Sequence, residues 1–150
     1  MEIGCASKAD READPAAQIE IMKMLLMIMA VVEAPIGAAL FSLPKVIVPL
    51  LLGDPLDTPT GVVVGRLAGA AIFSLAVACW QERNGERGAA MAIVGAMLVY
   101  NQASAVLMVY ANVRLGLQSL FIWPGFVLHQ VLAAWCILTL WMTRIPPANE

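Results

Sequence analysis

Four long apolar stretches, each interrupted by one or two polar or ionisable residues, constrain this chain more than any other feature. They cover residues 19–43, 61–80, 89–110 and 120–142, each near the roughly 20 residues that a helix needs to cross hydrocarbon. The interruptions are Glu33, Arg66, the pair Asn101 and Gln102, and the pair His129 and Gln130. A polar group in hydrocarbon is costly, so each calls for a partner inside the protein. With 61% hydrophobic and 13% charged residues and a mean hydropathy of +0.80, the chain lies outside the balance of a soluble domain. The expected fold is an all-α membrane protein with four transmembrane helices in one domain, residues 19–143. Residues 1–18 form a polar N-terminal segment and residues 144–150 a tail.

Short connections make neighbouring helices antiparallel, which predicts an up-down-up-down bundle. Lys8, Arg11, Lys23, Arg83, Arg87 and Arg144 fall on one side, against Lys45 and Arg114 on the other. Positive loops stay cytoplasmic, so both termini are expected in the cytoplasm, with an inner membrane of bacterial type as the location. Trp80 and Trp141 then lie near the inner boundary, and Tyr110 and Trp123 near the outer one, as aromatic belts do. The first stretch is long enough to be retained as an anchor rather than cleaved as a signal peptide.

The longest connection follows the first stretch. Pro44 ends that helix, and residues 46–52 are apolar but too short to span, which predicts a segment lying in the outer interface. Thr58 is placed to cap the next helix, with Pro59 as its first residue. Residues 81–88 read as a charged inner hairpin and residues 111–118 as the second outer loop.

Small residues mark the expected packing faces. Gly61, Gly65 and Gly69 recur every fourth position, which lets another backbone approach closely. Gly88, Ala92 and Ala96 continue the pattern in the third helix, and Gly125, His129 and Ala133 share one face of the fourth. Such faces serve packing within the bundle or between two copies in a homodimer. Met22, Met24, Met27 and Met29 occupy several faces of the first helix, as flexible fillers or lipid-facing residues do.

At 1.5 Å per residue, Glu33, Asn101, Gln102, His129 and Gln130 reach similar depths near the middle of the bilayer. Arg66 lies a little over a turn into the second helix, where it can snorkel outward or reach inward to Glu33. All four helices are thus expected to feed one polar layer. Glu33 is there as a protonated hydrogen-bond donor or as half of an ion pair with Arg66. Such a layer suits protons, cations or a polar head group, and it is equally what a self-satisfied network between helices looks like. Pro35, two residues after Glu33, and Pro124 each free a backbone carbonyl inside a spanning stretch.

Other chemistry finds little footing. Cys5, Cys79 and Cys136 have no CxxC spacing, which removes the usual dithiol and zinc patterns. His129 is the sole histidine and cannot supply both axial ligands of a bis-histidine haem, so no metal or cofactor is expected. No HExxH or comparable catalytic motif occurs, which leans away from an enzyme. A net charge of -2 without a basic surface gives nucleic acid no footprint.

Glu33 within AVVEAPIGAAL resembles the first helix of the small multidrug resistance transporters, which are compact four-helix proteins with a membrane-embedded glutamate there. Their aromatic motifs in later helices have no counterpart in this chain. GRLAGAAIFSLAVACW, LVYNQASAVL and WPGFVLHQVLAAW together resemble the small uncharacterised four-helix membrane proteins of bacteria, a likeness that implies a fold and no activity. High apolarity and short loops point to a small non-catalytic accessory or assembly component, with the lipid bilayer, other membrane subunits or a second copy as partners. The alternative is a proton-coupled small-molecule carrier, or a lipid or quinone binder, centred on Glu33.

Overall fold

Apolar surroundings leave a backbone no partners but its own, which favours long uninterrupted helices. A computed structural model describes residues 15–144, and among them every regular element is helical: α1 (Pro15–Ser42), α2 (Pro44–Leu52), α3 (Pro59–Glu82), α4 (Arg87–Leu115) and α5 (Ile122–Arg144). Four of these are long and apolar enough to cross a membrane. Cys5, Lys8, Arg11 and residues 145–150 lie outside the described residues.

Helices run past the apolar limits read from sequence, because polar residues at their ends carry no breaker. α1 already begins at Pro15, within the expected N-terminal segment. The 81–88 hairpin contracts to residues 83–86, and the loop expected at 111–118 becomes residues 116–121. Gly116, at φ 69°, ends α4 in the left-handed conformation that glycine adopts without strain. Residues 44–52 form a regular helix, begun by Pro44 and closed by Gly53 at φ 82°. Thr58 caps α3 as its sequence predicts, its hydroxyl accepting from Gly61 N at 3.0 Å.

The long helices associate as two pairs, α1 with α3 and α4 with α5, with far fewer contacts between pairs. In α1 and α3 the backbones themselves approach. A methyl group added at Gly37 would lie 2.5 Å from Phe73 N and 2.9 Å from Gly69 O, and one added at Gly69 would collide with Phe41 N. Gly65 is buried against Pro44 one turn further along, so the two helices run antiparallel. Gly61 faces Leu56 and Thr58 at the start of its own helix instead. The second pair is also antiparallel: Gly125 faces Met108, and His129 meets Asn101.

The pairs meet in one packed core built from the halves of the helices next to Pro15, Glu82, Arg87 and Arg144. Met22, Leu25, Leu26 and Met29 of α1 fill it, against Cys79 of α3, Val94 and Met97 of α4, and Leu132 and Cys136 of α5. Met24 and Met27 point outward. The buried stripe of α4 is Ala90, Val94, Met97, Asn101 and Ala105, a spacing of three and four. It leaves the Gly88, Ala92 and Ala96 face exposed, so of the two roles expected for that face, packing within the bundle is not the one it serves here. Val31, Leu67, Val99 and Leu138 line other outward faces.

Candidate functional site

Toward the α2 end the two pairs no longer fill the space between them, and a cavity of about 660 Å³ opens there. Ile36 and Leu40 of α1, Leu107 and Ala111 of α4, and Leu128 of α5 give it apolar walls. Leu51 and Leu52 of α2, with Leu117 of the 116–121 loop, form its far end. That end is fastened: Ser119 Oγ donates to the Leu50 carbonyl at 2.6 Å, and Gly53 lies directly against the Gln118 carbonyl.

The polar side chains gather where the cavity meets the packed core. Glu33 occupies the buried stripe of α1 between Ala30 and Gly37 and is only 2% exposed. The Tyr100 hydroxyl donates to its Oε2 at 3.0 Å, while Oε1 has no hydrogen-bond partner among the described residues. A carboxyl group has about four lone-pair sites, so most of this acceptor capacity is unused. Glu33, Tyr100, Ser104 and His129 all line the cavity, Ser104 one turn beyond Tyr100 on α4.

Asn101 fixes the imidazole. Its Nδ2 donates to the Met97 carbonyl at 2.7 Å, which turns Oδ1 toward His129 Nδ1 at 2.8 Å. Only a protonated nitrogen can bond an amide oxygen, so Nδ1 carries hydrogen and a neutral His129 holds its lone pair on Nε2. The Tyr100 ring packs edge-on against this imidazole, with centroids 5.7 Å apart. Tyr100 thus touches both Glu33 and His129, although they belong to different helix pairs.

The expected single layer is therefore divided. Glu33, Tyr100, His129 and Asn101 form one connected group, and Gln130 Nε2 donates to Gln102 Oε1 at a long 3.4 Å in a separate pair one position further along each helix. Arg66 joins neither. It is exposed on α3 beside the buried Gly65, which packs on Pro44. Pro44 lies beyond the end of α1, and Ser42, the last residue of that helix, is already nine positions or about 13 Å from Glu33, so an ion pair between Arg66 and Glu33 does not form. Among the described residues the one ion pair joins Lys23 and Glu20 at 3.7 Å, away from the cavity.

Compared with known protein families, curated proteins and solved structures, the chain matches none. Its chemistry is thus read from the site alone. Tyr100 and Ser104 were not visible as candidates in the sequence, since a tyrosine within LVYNQASAVL reads as one more large residue. The available signal was the four-residue spacing that puts Tyr100 and Ser104 on one face of a helix. Gly37 was missed as well, because it has no repeat of its own in α1 and acts only as the partner of Gly69. Among the described residues no cluster of histidine, cysteine and carboxylate side chains is arranged to hold a metal ion.

Proposed function

We propose that this chain is an integral membrane protein that binds an amphipathic small molecule in the cavity between its helix pairs. The observation that carries the reading is Glu33, a buried carboxyl with unused acceptor capacity at the polar end of an apolar cavity. Cavities of a few hundred Å³ with apolar walls and a few convergent polar groups are the usual form of small-molecule sites. A polar group left without partners in hydrocarbon also needs a reason to persist.

In this reading the four long helices cross the membrane up-down-up-down, as the two antiparallel pairs and the short 83–86 turn support. Lys23, Arg83 and Arg87 mark one end of the bundle and Lys45 and Arg114 the other, which favours cytoplasmic termini in a bacterial inner membrane. Helix α2 then lies at the outer boundary as an interfacial segment, and Arg66 extends toward that boundary. The role is binding or carriage rather than catalysis. An accessory or assembly role in a larger complex rests on apolarity and short loops alone, and lipid accounts for the exposed apolar faces.

Extraction and mass spectrometry of molecules co-purifying with the protein in gently solubilised membranes tests the proposal. The expected result is a compound retained near one per chain by the wild type and held more weakly by Ala111→Phe, whose ring takes up part of the cavity near α2. A wild type carrying no enriched compound over the bulk lipid would remove the reading.

A further inference from the structure

The polar end of the cavity presents mostly acceptors. Glu33 Oε1 lacks a partner among the described residues but has almost no surface of its own open, so the carboxyl must turn to meet a ligand; the lone pair of a neutral His129 sits on Nε2, and the Tyr100 hydroxyl has its hydrogen committed to Glu33. Ser104 adds one hydroxyl that both donates and accepts. Among the described residues no lysine or arginine lines the cavity. A phosphate or carboxylate head would sit beside a carboxyl group with no cation to balance it, a costly arrangement away from water. A cationic head would need an ionised Glu33 and would require the desolvation of two charges. A neutral hydroxyl avoids both penalties. It donates to a carboxylate or accepts from a carboxylic acid, so it satisfies Glu33 in either form.

The walls set the rest of the molecule. Along α4 the eleven steps from Tyr100 to Ala111 extend about 16 Å, comparable to one leaflet of a hydrocarbon core about 30 Å thick. Ile36, Leu40, Leu107 and Leu128 flank that length beyond Ser104, with Tyr110 near its far end. This fits one alkyl chain running away from the polar end toward α2.

Resting on the binding reading above, we propose that the cavity takes a single-chain amphiphile with a neutral, hydroxyl-bearing head, of the monoacylglycerol or long-chain alcohol class. The head hydroxyl bonds Glu33, with Tyr100, Ser104 and His129 around it, and the chain lies against the apolar wall of α1, α4 and α5.

The test uses the full chain in nanodiscs of zwitterionic phospholipid, with radiolabelled monododecanoylglycerol, dodecanoate and dodecyltrimethylammonium titrated separately against protein-free discs. Saturable retention of the monoacylglycerol near one per chain is expected, at least about tenfold tighter than either charged probe. Glu33→Gln keeps a neutral hydrogen-bonding head and should bind within about threefold of wild type, whereas Glu33→Leu should lose about tenfold or more. Ala111→Phe, which leaves Glu33 in place, should weaken retention by about tenfold and tests the site independently if Glu33→Leu fails to fold. Preference for the ammonium probe, or a Gln variant as defective as the Leu variant, would overturn the neutral-head assignment while leaving the cavity reading intact. Saturable binding of none of the three probes to the wild type would overturn both.

Discussion

The two helix pairs are joined in different ways. Between α1 and α3 the contact is backbone on backbone, with Gly37 and Gly69 leaving no room for even one added methyl group. Between α4 and α5 it is polar, with His129 on Asn101 at 2.8 Å and Gln130 near Gln102 at 3.4 Å. Hydrocarbon supplies no hydrophobic drive for helices to associate, so close van der Waals packing and interhelical hydrogen bonds are what remain. This chain uses one for each pair. The difference also places the chemistry: the glycine seam sets backbone against backbone, while the polar seam presents titratable and amide side chains at its edge, where the larger cavity begins.

Gly69→Leu should show the largest effect. Its side chain would have to displace the α1 backbone near Phe41, which costs at least about 3 kcal/mol and separates the first pair. Thermal unfolding in mild detergent measures it, and a variant as stable as wild type would show that the seam is not as close as the backbone positions imply. Asn101→Leu comes next. It removes the bond to His129 and leaves the imidazole N–H without its acceptor, for an expected loss of about 1–2 kcal/mol. In a double-mutant cycle with His129→Leu the coupling should be about 0.6–1.7 kcal/mol, and a coupling near zero would mean that polar contacts do not fasten the second pair.

Ala111→Phe should change stability by about 1 kcal/mol, since its ring leaves a buried wall position and enters the cavity, while weakening ligand retention. A large loss of stability there would identify the cavity as part of the packed structure. Gln102→Leu should have the smallest effect, below about 0.5 kcal/mol, because its bond to Gln130 is long and both amides are half-buried. Orientation sharpens the same picture: in a Cys-free background, single cysteines at Asp54 and Asn84 should react with an impermeant maleimide from opposite sides of sealed vesicles. Labelling of both from one side would remove the up-down-up-down crossing.

Much of the helical framework was legible beforehand. Apolar runs of spanning length have few other folds open to them, and Thr58-Pro59 marked the start of α3 because capping is local chemistry. The site was legible only in part. Glu33, Asn101, Gln102, His129 and Gln130 stood out because polar residues are conspicuous in apolar surroundings, and Arg66 stood out for the same reason without belonging. Depth along a helix is read from residue number, but the direction a side chain faces relative to other helices is not. Arg66 lies near the end of α1, about 13 Å of helix from the level of Glu33, and its position depends on the register in which Gly65 and Gly69 meet α1 and Pro44.

The sequence by itself determined that the described chain forms four long apolar helices with costly polar groups inside them, because composition and run length act through local backbone chemistry and through transfer from water. Tertiary structure alone decided which of those groups meet. It placed Tyr100 between Glu33 and His129, separated the Gln102–Gln130 pair from them, kept Arg66 apart, and left one carboxyl oxygen unpartnered beside a cavity. The reason is physical: pairing between helices depends on how closely their backbones approach and in what register. Here the mutual fit of Gly37 and Gly69 sets that relation for α1 and α3, and no single stretch of sequence contains both residues.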